Sequence, residues 1–368
     1  MWGDVEVLYR HLTSSTFDII DPQDIMMLPE AVATGVEKDG LFIPLIDFGL
    51  FLHGTETDKA AVVAGVSSGF KNAGFIYLKN HGIPPSSISS VFASSKSFFS
   101  RPQEEKDALK WLTPESNRGY VSPGREKVTQ STDAAEIAAL REKHPDLKES
   151  FEIGRDNHPV LLNNWPVEEA TSEASFRQTM TAFYSTCQSL HIQVMRCLAL
   201  GLGLQEEHFD SFIDAADNNL RLLHYPATPA SVFKQNVGQV RAGKHTDYGT
   251  ITLLFQDTRG GLQVRGPQGT WVNATPIEGT IVVNAGDLLA RWSNGKIMST
   301  EHQVVEPPSE PEEGWHPARY SCAYFCNPNA EATIEALRGT YEKEEDKIWP
   351  AIRADEYLVQ RLTKTYSY

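Results

Sequence analysis

Leu41 to Phe48 (LFIPLIDF) is a short apolar run, and GFIYLKNHG (Gly74 to Gly82) is another with glycine at both ends, so both read as strands. Helical spacing from about Thr57 to Asn72 lies between them, giving a strand, helix, strand opening. The clearest helix spans about Ser175 to Leu200, because Phe176, Met180, Phe183, Cys187, Leu190 and Val194 recur at three- and four-residue steps, with Gly201 expected as its stop. From about Asn218 the period shortens. NNLRLLHYPA, GTITLLFQD, GGLQVRG, GTWVNATP, GTIVVNAG, DLLARWSN, GKIMSTEHQVVE and ARYSCAYFCNPN are β-rich runs separated by turn residues, and Asn294-Gly295 between two of them is a hairpin signal. From about Ile334 to Leu362 the pattern returns to helix.

These elements predict an α+β fold: a double-stranded β-helix (jelly-roll) core with flanking helices and an N-terminal α/β portion. The expected divisions are an extension without a readable motif at residues 1–40, an N-terminal domain at 41–165, connecting helices at 166–216, the jelly-roll core at 217–330 and a helical tail at 331–368.

Composition narrows the function. With 33 Lys and Arg against 48 Asp and Glu, the formal charge is −15, which argues against nucleic acid or an anionic membrane surface as partner. A hydrophobic content of 40% excludes disorder as the main state. Neither a run of eighteen apolar residues nor a basic segment followed by an apolar stretch occurs, and the four cysteines include no Cys-x-x-Cys pair, so cytoplasmic residence is the expectation. A small-molecule substrate is the expected partner; oligomeric state is not legible.

Candidate chemistry begins at His245-Thr246-Asp247. The same spacing recurs at His144 and His208, one in a charged loop and one in a helical pattern. Only His245 and Asp247 lie at a strand edge, where residues two apart face the same way. His302, 57 residues on, supplies a third ligand. Two histidines and one carboxylate leave positions open on a metal, the arrangement of nonheme Fe(II) oxygenases and not of structural zinc. Arg319 and Ser321 share one strand face with Ala323 and Phe325, and an inward guanidinium beside a hydroxyl suits the far carboxylate of a dicarboxylic acid. Arg291-Trp292-Ser293 repeats that pattern before the third ligand and is the poorer candidate. Asn219, Arg221, Leu223 and Tyr225 form a second inward row. There Tyr225 is placed to bond the dicarboxylate, and Arg221 is either paired with an acid such as Glu152 or offered to substrate.

With His245, Asp247, His302, Arg319 and Ser321 in view, the chain resembles the isopenicillin N synthase-like branch of the Fe(II)/2-oxoglutarate dioxygenases. IPLIDF, GFIYLKNHGI and NAGDLLARWSNGKIMSTEHQVV extend the likeness from about Leu41 to Asn329. Within that branch, NRGYVSPGREKVTQSTD, LRLLHYPA, GKHTDYGTITLLFQDTRGGLQV and RYSCAYFCNPN are similar to the fungal thymine 7-hydroxylase subfamily. The resemblance implies Fe(II) on His245, Asp247 and His302, 2-oxoglutarate held by Arg319, Ser321 and Tyr225, and O2 as the other cosubstrate. It further implies hydroxylation of a methyl group on a flat polar ring such as thymine, with Arg221, Tyr248 and Phe325 toward substrate. The alternatives are oxidation or ring rearrangement of a methyl-bearing aromatic polyketide and, in another class, a metal-free jelly-roll binding protein. Cys322 and Cys326 read as small buried hydrophobes, and Pro308 to Gly314 as a solvated acidic loop.

Overall fold

A computed structural model describes residues 31–111, 113, 115–126, 145–167 and 175–365. Its strands, in chain order, are β1 (Val32–Lys38), β2 (Leu41–Asp47), β3 (Phe75–Lys79), β4 (Gly119–Val121), β5 (Glu149–Ile153), β6 (Asn219–Tyr225), β7 (Thr228–Pro229), β8 (Ala242–His245) and β9 (Ile251–Gln256). They continue with β10 (Leu262–Arg265), β11 (Trp271–Asn273), β12 (Thr280–Ala285), β13 (His302–Val304), β14 (Trp315–His316), β15 (Arg319–Cys326), β16 (Thr333–Ile334) and β17 (Ile352–Arg353). Nine form one sheet in the order β1-β2-β3-β12-β9-β15-β6-β5-β4, and four form a second, β11-β10-β13-β8. The N-terminal strands β1 to β3 and the pair β4–β5 thus extend the large sheet on either side of its central strands. β1 lies within the stretch read as an extension.

Alternation along the central strands separates two cores. On β15, Cys322, Tyr324 and Cys326 turn toward a helical layer built from Glu56–Asn72 and Phe176–Gly201, while Ala323 and Phe325 turn toward the second sheet. β6 does the same, with Leu220 and Leu222 outward and Leu223 and Tyr225 inward. The four cysteines are buried and unpaired, which for Cys322 and Cys326 agrees with their reading as small hydrophobes. Thr55 and Asp58 cap the first of those helices reciprocally, and the Ser175 hydroxyl caps the second through Gln178 N–H.

Four local expectations are corrected. DLLARWSN is a helix (Asp287–Trp292), because Leu288, Leu289 and Trp292 bury into the helical-side core at helical spacing. Asn294-Gly295 is therefore no hairpin: its two left-handed residues (φ 50° and 78°) close that helix, with Gly295 N–H on Ala290 C=O at 2.8 Å. Gly201 is the last residue of its helix, and the left-handed glycine that ends the turn is Gly203, at φ 74°. Finally, the C-terminal helix is confined to Ala354–Thr365, preceded by a 3-10 turn at Glu344–Asp346 and the β16–β17 ribbon.

Candidate active site

His245 ends β8 and His302 begins β13, and the two are register partners across these antiparallel strands, so their rings share a face with centroids 4.3 Å apart. Asp247 follows two residues after the strand, and its Oδ1 lies 3.7 Å from His245 Nε2 and 3.6 Å from His302 Nε2. The three ligand atoms lie within 4.8 Å of one another. Each is oriented by a partner behind it. His245 Nδ1 is 2.8 Å from Gly243 C=O and His302 Nδ1 is 3.1 Å from Thr300 C=O. A carbonyl only accepts, so both Nδ1 atoms carry the proton and both Nε2 lone pairs face Asp247. Asp247 Oδ2 accepts from Thr252 Oγ1 at 2.6 Å and Asn284 Nδ2 at 2.7 Å, which leaves Oδ1 for a metal. Burial and His302 push His245 down to about 3, so its ring is neutral. Burial alone would raise Asp247, yet His302, His245, Asn284 and Thr252 together hold it below the usual carboxylate range. Two imidazole nitrogens and one carboxylate oxygen, converging from three buried or half-buried side chains, form a donor set that fits Fe(II).

Behind the ligands the backbone is tightly packed. A Cβ on Gly249 would meet Cys326 C=O at 2.3 Å, and one on Gly286 would meet Gly249 C=O at 2.4 Å. The start of the Asp287–Trp292 helix grips the ligand loop, with Asp287 N–H on Asp247 C=O at 2.8 Å and Gly286 N–H on Thr250 C=O at 2.8 Å. The helix that the sequence pattern suggests as a strand therefore holds the loop that carries Asp247.

Strands β6 and β15 lay out the rest of the site in register: Arg319 opposite Tyr225, Ser321 opposite Leu223, Ala323 opposite Arg221 and Phe325 opposite Asn219. At one end Arg319, 1% exposed, donates to Gly260 C=O (2.9 Å), Ser321 Oγ (3.2 Å) and Gln256 Oε1 (3.3 Å), with its guanidinium 4.8 Å from the Tyr225 ring centroid. Arg319 has no carboxylate among those three partners, so its charge is available to an incoming anion. Arg241, wholly buried nearby, has no hydrogen-bond partner among the described residues for any side-chain nitrogen, and burial together with Arg319 lowers it to about 10.

At the other end stands Phe325, six residues from Arg319 and roughly 20 Å away at strand rise, and Arg221 stacks on it with 4.9 Å from guanidinium carbon to ring centroid. Its Nε lies 2.7 Å from Glu152 Oε1 and its Nη1 lies 3.3 Å from Glu126 Oε1. Glu126 also pairs with buried Lys148; against the cost of burial, Lys148 and Arg221 hold Glu126 down to about 2. Glu152 goes the other way, raised by burial despite Arg221. The pairing of Arg221 with Glu152 and its position on a cavity wall hold together. Tyr248 lines the same cavity, its hydroxyl 2.6 Å from Thr365 Oγ1 and its ring under Arg361 at 4.6 Å.

Two cavities meet here. One, of about 70 Å³, is lined by Tyr225, Arg319, Ser321, Thr252, Asn284 and His302; the other, of about 170 Å³, by Asn117, Asn219, Tyr248, Asn327, Leu358 and Leu362. His245, Asp247, Arg221 and Phe325 line both. Leu223 is buried between the sheets and faces the smaller cavity. Arg291 lies outside both, donating to Pro350 C=O at 3.2 Å and stacked between Trp349 and Tyr357. His208 is not part of the cluster and sits in a turn before Asp210–Ile213; His144 lies outside the described residues.

Sequence reasoning missed Thr252, Asn284, Glu126, Lys148, Arg241 and the C-terminal wall. Asn284 carried a signal: it is the polar residue inside the buried run TIVVNA of β12. Asn219 stood on the predicted inward row without a role.

Two family models match this chain. One, described as the N-terminal part of the non-haem dioxygenase in morphine synthesis, covers residues 43–168; the other, the 2OG-Fe(II) oxygenase superfamily, covers residues 216–328. The 2-oxoglutarate-dependent dioxygenase frbA of a Dothideomycetidae species is 34% identical over 337 residues, spanning 88% of this chain and 97% of that protein. The proline hydroxylase buaE of Petromyces alliaceus is 34% identical over 326 residues, spanning 87% and 98%. Among solved structures, full-length thymine 7-hydroxylase of Neurospora crassa in complex with 2-oxoglutarate and thymine is 56% identical with a TM-score of 0.84, covering 91% of this chain and 100% of that one. The same enzyme with 2-oxoglutarate and 5-formyluracil aligns at 52% identity and TM-score 0.82, covering 90% and 99%.

Proposed function

This chain belongs to the 2OG-Fe(II) oxygenase superfamily, and on that premise we propose that it hydroxylates the methyl group of a flat, polar, thymine-like ring. It is an Fe(II)- and 2-oxoglutarate-dependent dioxygenase. When bound, Fe(II) would supply the redox chemistry that couples oxidative decarboxylation of 2-oxoglutarate by dioxygen, to succinate and carbon dioxide, with hydroxylation of the substrate. His245, Asp247 and His302 hold the metal. Arg319, Ser321 and Tyr225 bind the far carboxylate of 2-oxoglutarate, because a buried guanidinium without a carboxylate partner gains most from a bidentate anion. Phe325 offers its ring to the substrate, Tyr248 closes one side, and Arg221 faces the polar edge while Glu126 and Glu152 fix its plane. Apolar Leu358 and Leu362 exclude water from the reacting carbon. No helix of the described residues is long and apolar enough to cross a membrane.

The observation that carries this reading is the junction of the two cavities at the metal ligands, Arg221 and Phe325. The solved relative with thymine bound supports the ring type. The test is to supply anaerobically iron-loaded protein with 2-oxoglutarate, oxygen and a panel of methylated pyrimidines, methyl-bearing phenols and proline. Thymine should give hydroxymethyl product with near-stoichiometric succinate. Preference for a phenol or for proline would overturn the thymine-like assignment while leaving the reaction class intact.

A further inference from the structure

In the wall of the larger cavity stands a buried acceptor with nothing to accept from. Asn219 is 3% exposed, and its Nδ2 donates to Asn117 C=O at 3.1 Å. A carbonyl takes only a donor, so the amide cannot be flipped, and Oδ1 is necessarily turned the other way. Among the described residues that oxygen has no hydrogen-bond partner. The orientation is itself built: Asn117 adopts a left-handed conformation (φ 39°), and its carbonyl also accepts from Arg118 Nη1 at 2.9 Å. Asn117 Oδ1, in the same wall, is likewise without a donor.

Position gives this acceptor its meaning. Asn219 is the register partner of Phe325 and lies two residues from Arg221 on the same strand face. The cavity therefore presents an aromatic face, a side chain carrying only donors and a side chain whose fixed acceptor is unused. A buried unpaired acceptor is retained at a cost unless a ligand answers it. A ring carbonyl adjacent to a ring N–H presents an acceptor and a donor side by side, whereas a phenol has a single O–H to serve both.

Resting on the thymine-like reading above, we propose that Asn219 Oδ1 accepts a ring N–H of the substrate, making this residue the determinant that restricts the enzyme to cyclic amides and imides. A site that hydrogen-bonds a substrate N–H rejects the analogue lacking it far more strongly than a hydrophobic pocket rejects one extra methyl.

The experiment compares thymine with 1-methylthymine and 3-methylthymine as substrates for wild type, Asn219→Leu and Asn219→Asp, with the apparent 2-oxoglutarate KM measured alongside. Wild type should disfavour one of the two N-methyl isomers by at least about tenfold in kcat/KM. Asn219→Leu should reduce that ratio to about two or less by losing thymine, with 2-oxoglutarate KM unchanged. Asn219→Asp, which retains an acceptor, should preserve the ratio. If wild type turns over thymine yet accepts both N-methyl isomers equally, or if Asn219→Leu keeps the full ratio, the inference is overturned while the thymine-like reading stands. If Asn219→Leu fails to fold, the wild-type and Asn219→Asp ratios still decide. Wild type inert toward thymine would overturn both.

Discussion

Replacing Asn284 by Leu, or Thr252 by Val, should weaken Fe(II) binding without touching a metal ligand. Asp247 is 6% exposed, and its Oδ2 is satisfied by two donors at 2.6 and 2.7 Å, both within the range of charge-assisted hydrogen bonds. Each such bond is worth about 1.5–3 kcal/mol. Part of that loss falls equally on the free and metal-bound states, and what reaches the metal is the loss of orientation of Oδ1 and the rise in proton affinity of a buried carboxylate. Partners of this kind typically cost about 10- to 100-fold in metal affinity. Because Thr252 and Asn284 act on one oxygen, the double variant should lose less than the product of the two single losses. Anaerobic titration with Fe(II), and with Co(II) read by its visible absorption, measures the effect; a thermal melt confirms the fold, and 2-oxoglutarate KM at saturating metal should stay near wild type. Metal affinities within twofold of wild type in both folded single variants would refute the claim that these donors set the free oxygen of Asp247.

Arg319→Leu should raise the apparent 2-oxoglutarate requirement at least about tenfold, since truncating one partner of a buried charge pair costs about 2–5 kcal/mol; steady-state succinate formation checks this, and an unchanged requirement moves the anchor elsewhere. Arg241→Met should raise the same requirement several-fold with no change in substrate KM, by removing a second unneutralised cation beside Arg319. Phe325→Ala should weaken substrate binding by about 1–3 kcal/mol and lower the ratio of product to succinate, because the methyl carbon is no longer held in place. His191 is wholly buried, and burial lowers it to about 3. The unfolded chain therefore binds the extra proton below the ordinary histidine value of about 6.5, and stability falls as pH drops through 6.5, by up to about 1.4 kcal/mol per pH unit. His191→Gln should flatten the fall in melting temperature between pH 7 and 5, and a slope equal to that of wild type, at matched metal loading, would count against it.

How far the site was legible depended on whether position in a strand settles a side chain's fate. Parity alone put Arg319, Ser321, Phe325, Arg221 and Tyr225 on inward faces, and the register of β6 against β15 bears this out. Parity likewise put Asn219 there, but only the tertiary contact with Asn117 C=O fixes which of its amide atoms is left without a partner. The helix Asp287–Trp292 was misread because six residues between strand-like runs give too short a window to separate the two periods, and Asn-Gly suits a helix end as well as a hairpin. Arg241 and Lys148 were out of reach. Their roles arise from neighbours far apart in sequence: Arg319 lies beside Arg241, and Glu126 beside Lys148.

The most direct test of the account is a single turnover in ¹⁸O₂. Anaerobic enzyme loaded with Fe(II), 2-oxoglutarate and thymine is exposed to labelled oxygen, and succinate and pyrimidine products are analysed together. Methyl hydroxylation at this centre predicts one labelled oxygen in succinate, label in a hydroxymethyl pyrimidine formed in near-equal amount, and loss of both in His302→Ala. Labelled succinate without a hydroxylated pyrimidine, or product formation that survives His302→Ala, would contradict it.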